Sequence, residues 1–285
     1  MRVTKLIIVA GIPLLLGAVA LAYIGAMHET ASRLRCSDHL RGLGLSLHNF
    51  SDAQGRLPFG TLHSRGLPPE RRLSWLVELW PYIQAGPELL LDTSQAWDAE
   101  PNCPLRWTGR KALGSGEAPD ELLAEVAVFR CPANPGRSDF PWPTPTDYVG
   151  IAGLGPQAAQ LPLSDWRAGF FGYDRLLRFQ DIKDGLSTTM AVAEVTDGRP
   201  WTEGGSATVR GLVRGDQPYL GRAGQFSSYH RRGFVPFSRP VVANVLFADG
   251  SVRGLSDSVS PQILEALATV AGGEKVAALP DGEVW

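Results

Sequence analysis

The chain has 285 residues, with 27 Lys and Arg residues against 29 Asp and Glu residues and a formal net charge of −2. This near-neutral balance, without a dense basic run, excludes an extended phosphate-binding surface, so we expect no nucleic-acid partner. A hydrophobic fraction of 44%, with 32 Gly and 22 Pro residues spread along the chain, indicates a folded domain with many loops.

The chain begins with a short basic head, Met1 to Lys5, and an uncharged, mostly apolar run of 22 residues, Leu6 to Met27. A helix over this run is about 33 Å long, which is enough to cross the hydrocarbon core of a bilayer. We therefore expect residues 1–28 to form a transmembrane anchor with a cytoplasmic N-terminus. Residues 29–285 then form one extracytoplasmic domain, periplasmic or at the cell surface. A signal peptide cleaved near Ala20 to Ala22 is the alternative, and it gives the same compartment.

Apolar residues beyond this run repeat mostly at spacings of three and four, which predicts an amphipathic helix that continues the anchor. They are Leu34, Leu40, Leu43, Leu47 and Phe50. Prolines are absent between Pro13 and Pro58, and Gly55 is a suitable C-cap. The pattern therefore predicts one long helix that ends at residues 52–55.

The middle of the chain gives weaker signals. Helical spacing of apolar residues predicts a second helix at about Leu73 to Gln84, with Pro81 as a kink or an early end. A polar helix is predicted near Pro119 to Val126, and a short strand at Val126 to Cys131.

The C-terminal half favours β structure. Thr188 to Glu194 is a predicted strand, and residues 241–255 form a predicted hairpin around Asp249 and Gly250. Ser260 then caps a last helix, which has Pro261 at its first position.

The three cysteines are Cys36, Cys103 and Cys131. An extracytoplasmic compartment permits disulfides. Cys103 and Cys131 each precede a proline, and we hypothesise a Cys103–Cys131 disulfide that closes the loop between them and leaves Cys36 free. Three unpaired buried thiols are the alternative, and the spacings fit neither a zinc knuckle nor a redox C-x-x-C motif.

Several motifs together resemble a large bacterial family of pilin-like, prepilin-processing-associated proteins of unknown function. The matching segments are Cys36-Ser-Asp-His-Leu40, Leu47-His-Asn-Phe50, Gly55-Arg-Leu-Pro-Phe-Gly60, Leu73-Ser-Trp75 with Pro81-Tyr82, Phe129-Arg-Cys-Pro132, Thr146-Asp-Tyr-Val-Gly150, Asp181 to Glu194, Phe226-Ser-Ser-Tyr-His230 and Ala243 to Val252. The resemblance covers nearly the whole chain, and its C-terminal part is the most specific.

Two features depart from the family pattern. The apolar helix lacks the prepilin cleavage motif and the acidic residue that follows it, which argues against polymerisation into a filament. In addition, 18 residues separate His230 from Asp249, where the family has nine. We expect this insertion, around Arg231 to Pro240, to form an exposed loop.

One set of side chains has the residue types of a cation site: His230, Glu194, Asp184 and Asp249. Carboxylates from loops are typical Ca²⁺ ligands. We favour a structural role, because Asp184 and Asp249 each precede a glycine, and such pairs form turns. We therefore predict no catalytic, cofactor-binding or metal site.

Other candidate residues give no shared site. His39 and His48 fall on different faces of the first helix, and His63 lies in a polar loop. The eight tryptophans are expected mainly to pack in the core and to pin loops. The chain has no nucleophile elbow, Walker loop, dinucleotide fingerprint or His-Glu-x-x-His motif, so an enzyme is the least favoured class.

The helix pattern and the resemblance together imply an α+β, pilin-like fold. In it, a long N-terminal helix, membrane-embedded and then amphipathic, packs on an antiparallel β-sheet with long loops. The resemblance implies a structural or accessory protein similar to a pseudopilin, which acts in envelope or type II secretion-like assembly with envelope proteins as partners. The alternative is a periplasmic or surface module that binds a glycan or peptide through Trp-rich loops.

Overall fold

A computed structural model describes residues 2–83, 91–99, 102, 127–134, 144–221, 224–228, 230 and 242–273, and for residues 2–15 it describes the backbone alone. Within these residues the α-helices are α1 (Arg2–Gln54), α2 (Trp75–Leu79) and α3 (Pro261–Leu267). The strands are β1 (Tyr148–Leu154), β2 (Met190–Glu194), β3 (Val209–Leu212), β4 (Val242–Phe247) and β5 (Val252–Ser256). The fold class is therefore α+β, as the sequence predicts.

Helix α1 runs for 53 residues, a length of about 80 Å. It ends where predicted, because Gly55 has a φ of +66° and its N–H donates to the Ser51 carbonyl oxygen at 2.8 Å. Along its C-terminal half, the predicted stripe is buried in the core at Leu40, Leu43, Leu47 and Phe50. Leu34, which the pattern also placed on the stripe, is exposed instead.

The N-terminal half of α1 has different surroundings. Its described large apolar side chains are exposed, among them Leu16 at 63% and Leu21 at 72%. Cys36 is the first buried residue after this exposed stretch. Among the described residues, the structure has no helix that combines the length and the apolar character needed to cross a membrane.

The five strands form one sheet in the order β3-β1-β2-β4-β5. The predicted hairpin is confirmed as β4 and β5, which pair antiparallel, as do β1 with β2 and β2 with β4. The prediction of an entirely antiparallel sheet is wrong, because β1 and β3 are parallel. Strand β2 ends opposite Tyr148 at the start of β1, and β3 begins near this same end, on the other side of β1, so β3 runs in the direction of β1.

Helix α1 lies directly on the β4–β5 hairpin. A Cβ atom at Gly44 would come 2.9 Å from Leu246 Cδ1 and 3.3 Å from the Cα of Gly250, so glycine permits this close approach. His48 reinforces the contact, since its Nε2 lies 3.0 Å from the Ala248 carbonyl oxygen. Helix α3 covers the opposite face of the sheet with Leu264 and Leu267.

Two predictions in the middle of the chain need correction. The strand predicted at Val126 to Cys131 is wrong, because Ala127–Phe129 forms a 3₁₀ turn that places Phe129 against Trp201 at a ring distance of 5.1 Å. Tertiary packing of an aromatic ring here overrides the β propensity of a short segment. The second helix is shorter than predicted and continues only as a 3₁₀ turn that contains Pro81.

The polar helix predicted near Pro119 to Val126 lies outside the described residues. The last helix is confirmed, since the Ser260 hydroxyl accepts a hydrogen bond from the Ile263 N–H at 3.3 Å and Pro261 opens the helix.

Candidate functional site: a buried cluster of cysteine, histidine and carboxylate

Cys36 on α1 and Cys131 after the 3₁₀ turn form a disulfide with a Cα–Cα distance of 5.2 Å. The hypothesised Cys103–Cys131 pairing is therefore wrong, and Cys103 itself lies outside the described residues. The physical reason is that α1 packs beside the 3₁₀ turn at Ala127–Phe129, which brings together two cysteines 95 positions apart. The positions of the cysteines along the sequence do not predict this contact.

His230 and Glu194 lie directly beside the disulfide. The His230 Nε2 atom is 3.2 Å from Cys131 Sγ and 3.3 Å from Glu194 Oε1. One sulfur, nitrogen or oxygen atom from each of Cys36, Cys131, Glu194 and His230 lies within 4.8 Å of every other, and all four residues are buried. We refer to these four residues as the CCHE cluster.

Three members of the CCHE cluster are each held in place by a separate hydrogen bond that involves a backbone N–H group. Glu194 ends β2, and its carboxylate accepts hydrogen bonds from the backbone N–H and the side-chain amide of Asn244 at 2.7 and 3.3 Å. The backbone N–H of His230 donates to Ser228 Oγ at 3.1 Å. The backbone N–H of Cys131 donates to Asp147 Oδ2 at 2.9 Å. The cluster therefore joins α1 and the end of β2 to two segments outside helices and strands, which contain Cys131 and His230.

The other ring nitrogen of His230 faces a second carboxylate. Its Nδ1 lies 3.5 Å from Glu29 Oε1 on α1, and no hydrogen bond to Nδ1 is formed among the described residues. The imidazole is thus placed between the Glu29 carboxylate on one side and the remainder of the CCHE cluster on the other.

Tyr148 completes the surroundings of the cluster from β1, where it pairs with Glu194 across the strands. Burial, followed by the negative charges of Glu194 and Asp147, raises the pKa of Tyr148 well above its usual range. Tyr148 is therefore a neutral phenol at physiological pH.

The two aspartates of the predicted cation set lie elsewhere, in turns. The Asp184 carboxylate accepts hydrogen bonds from the N–H groups of Gly272 and Gly273 at 2.7 and 3.0 Å. Asp249 Oδ1 accepts a hydrogen bond from the Ser251 N–H at 2.9 Å. The glycines that follow them, Gly185 and Gly250, have positive φ angles of 98° and 84°. The turn interpretation of both aspartates is confirmed.

The sequence placed His230 and Glu194 in one candidate set but missed their cysteine partners. The available signal was that Cys36, Cys131, Glu194 and His230 each fall inside a separate motif of the family resemblance. With the disulfide closed, the CCHE cluster has one carboxylate and one imidazole as ligands. With the disulfide open, it has two thiols in addition, and all four side chains are then of donor types that bind zinc.

His39 and His63 have partners outside the CCHE cluster. His39 Nδ1 lies 2.9 Å from the Arg130 carbonyl oxygen, and burial lowers the pKa of His39. His63 lies on the surface beside Asp174, with 3.0 Å between Nδ1 and Oδ1. The prediction that the histidines of the first helix share no site is consistent with these contacts.

Comparison with curated proteins finds no match to the chain, and comparison with solved structures finds none either. A family model described as "Protein of unknown function (DUF1559)" matches residues 25–262. Because this match covers most of the sequence, from within α1 to within α3, the chain belongs to the DUF1559 family of proteins.

Proposed function

We propose that the protein is a membrane-anchored accessory protein, similar to a pseudopilin, whose extracytoplasmic domain takes part in envelope or secretion-related assembly. The observation that supports this proposal is the division of α1 into two halves. The half from Cys36 onward packs on the sheet, whereas the half before it exposes large apolar side chains.

Exposed apolar side chains on a projecting helix are unfavourable in water. Each side chain of this size costs about 1.5–3 kcal/mol when it is exposed and not buried. The described exposed residues of this stretch are Leu16, Val19, Leu21, Tyr23, Ile24 and Met27. They belong to the uncharged, mostly apolar run Leu6 to Met27, which follows the basic head. A bilayer offers the environment that this surface requires.

The domain itself limits where protein partners can bind. The stripe formed by Leu40, Leu43 and Leu47 is buried against the sheet and is used within the domain. Leu34, just before Cys36, and Leu45, within the packed half, are large apolar residues of α1 that remain exposed, at 59% and 64%. We therefore assign the assembly contact to the outer face of α1 around these two leucines.

The alternative function, glycan or peptide binding through Trp-rich loops, receives less support. Of the five tryptophans in the described part of the chain, Trp75, Trp80 and Trp201 are buried in the core. Trp97 is half-buried, and its indole N–H donates to the Glu70 carbonyl oxygen at 3.1 Å. Trp166 is the one described tryptophan that is exposed.

Membrane anchoring is tested by two arginine substitutions in the same helix. Leu21→Arg places a charge in the proposed span, whereas Leu45→Arg places the same charge on the exposed face of the packed half. After expression of the full chain in a bacterial cell, membranes are extracted with alkaline carbonate. We expect the wild type and L45R to remain in the membrane and L21R to be released in part, because an arginine within the span costs about 2.5–3.5 kcal/mol. Release of the wild-type protein would contradict anchoring.

The assembly role is tested by a photo-reactive amino acid at position 34 or 45, with position 176 as the control, since Leu176 is also an exposed leucine. We expect adducts with envelope or secretion components from positions 34 and 45 and none from 176. Equal labelling at all three positions would contradict a specific assembly surface on α1.

A further inference from the structure

We propose that the CCHE cluster is a redox-gated zinc site, in which reduction of the Cys36–Cys131 disulfide creates the ligand set for one Zn²⁺ ion. The ligands are the sulfur atoms of Cys36 and Cys131, Nε2 of His230 and Oε1 of Glu194. This proposal is independent of the membrane anchor and of the assembly role.

The donor types and their spacing match this ion. Zinc in structural sites takes four ligands in a tetrahedron, with thiolate, imidazole and carboxylate donors. At ordinary zinc–ligand distances, the nitrogen–sulfur and nitrogen–oxygen edges of that tetrahedron are about 3.4–3.6 Å. The corresponding distances from His230 Nε2 are 3.2 Å to Cys131 Sγ and 3.3 Å to Glu194 Oε1. The two sulfur atoms must separate to about 3.8 Å, and every other pair of ligand atoms already lies within 4.8 Å.

The orientation of His230 also fits a metal ligand. Histidines that bind zinc commonly direct their second ring nitrogen to a carboxylate, which fixes the tautomer. Here Nε2 faces the CCHE cluster, and Nδ1 faces Glu29 Oε1 at 3.5 Å. The structure therefore contains both the ligand and the outer carboxylate that would orient it.

Charge balance in the buried cluster explains why ionisation of the two thiols requires the ion. With the disulfide closed and His230 neutral, the four side chains carry the single negative charge of Glu194. Two thiolates would raise this to three negative charges in a buried site, which is strongly unfavourable. A Zn²⁺ ion restores the single negative charge, so exchange of the covalent bond for the ion leaves the local charge unchanged.

The redox step requires a dithiol reductant. Two electrons and two protons from the reductant break the S–S bond and give two thiols, while the reductant becomes a disulfide. Zn²⁺ then displaces both thiol protons to the solvent. In the reverse direction, a disulfide oxidant accepts two electrons from the two thiolates and two protons from the solvent and becomes a dithiol, which re-forms the Cys36–Cys131 S–S bond and releases the ion. In both states the cluster ties Cys36, the first buried residue of α1, to the domain.

The proposal is tested on the full chain in detergent, with and without reduction by a phosphine, followed by removal of free metal. Zinc content measured by mass spectrometry is expected to be one ion per reduced chain and none per oxidised chain. Cobalt in place of zinc is expected to give the visible absorption of tetrahedral cobalt with a thiolate charge-transfer band. Cys103→Ser is the matched control and should keep full binding.

Three variants give the proposal its sharpest test. Cys36→Ser and His230→Gln should each lose the thiolate-bound cobalt spectrum or weaken zinc binding at least tenfold. Glu29→Gln keeps all four ligands, and its side chain is about one-third exposed, so the fold should remain intact. We expect it to weaken zinc binding by about 10–100-fold through loss of the carboxylate that orients the His230 ring.

Several outcomes would overturn the proposal. One is a reduced chain with a native circular dichroism spectrum that binds no zinc. A reduced chain that stays unfolded when Zn²⁺ is added is another. Zinc binding that is equal in the oxidised and reduced chains, or unchanged in H230Q, would assign the ion to other residues.

Discussion

The carboxylate of Glu194 accepts a 2.7 Å hydrogen bond from the backbone N–H of Asn244. The paired register of β2 and β4 extends to Ala193 opposite Val245. The residue of β4 that lies next to Val245 outside this paired register is Asn244. Its backbone N–H donates to the side-chain carboxylate of Glu194 and not to a backbone carbonyl oxygen of β2. The same carboxylate lies 3.3 Å from Nε2 of His230. Glu194 therefore connects the edge of the strand pairing to the CCHE cluster.

Substitution of Glu194 should destabilise the domain according to what the new side chain can accept. Glu194→Gln keeps an acceptor for the Asn244 N–H, so we expect a loss of about 1 kcal/mol in the free energy of unfolding. Glu194→Leu leaves that buried N–H unpaired, and we expect a loss of about 2–3 kcal/mol. Urea unfolding measures both. Glu265→Gln, which removes an ion pair with the exposed Arg214, is the control. Equal losses in the two Glu194 variants would contradict the role of Glu194 as the acceptor for the Asn244 N–H.

The disulfide prediction concerns both pairing and stability. Peptide mapping without reduction should recover a linked Cys36–Cys131 peptide and alkylated Cys103. Cys36→Ser should lower the free energy of unfolding by about 2–5 kcal/mol, because the bond closes a long loop in the unfolded chain. Cys103→Ser should have little effect. A linked peptide that contains Cys103 would show that the assigned pairing is incorrect.

Two glycines two positions apart on α1 should respond to alanine in opposite directions. A Cβ at Gly44 meets Leu246 and the backbone of Gly250, whereas a Cβ at Gly42 meets no atom within 4 Å. We expect Gly44→Ala to lower the free energy of unfolding by about 1–3 kcal/mol through overpacking. We expect Gly42→Ala to raise it by about 0.5–1 kcal/mol through backbone entropy. Thermal unfolding checks both, and stabilisation by both variants would refute the close contact between helix and hairpin.

The pH prediction concerns Asp165. Hydrogen bonds from the Arg167 side chain, and then from its backbone N–H, lower the pKa of Asp165 to about 2. Because the folded pKa lies below the unfolded value, the ionised Asp165 carboxylate stabilises the folded state at pH values above about 4. This stabilisation is lost as the pH falls through about 2. NMR titration of the Asp165 carboxyl carbon measures the midpoint. Arg167→Gln should raise that midpoint toward the ordinary aspartate value, and an unchanged midpoint would exclude Arg167 as the cause.

The sequence by itself determined the elements whose signals are local. The spacing of Leu40, Leu43 and Leu47 and the glycine at position 55 defined the packed half of α1 and its end. The turn at Asp249 and Gly250 defined the β4–β5 hairpin, because an Asp-Gly step suits a tight turn between two apolar segments. These features depend on interactions within a few residues, so composition and periodicity are sufficient to predict them.

Only the tertiary structure decided the features that join distant segments. The parallel pairing of β1 and β3 depends on the path of the chain around β1, and strand propensity contains no information about that path. The CCHE cluster unites α1, the 3₁₀ turn, the end of β2 and the segment before β4. Its members come together because α1 packs across the sheet and buries them at one place. The residue types were visible in the sequence, but their proximity follows from the packing of the core.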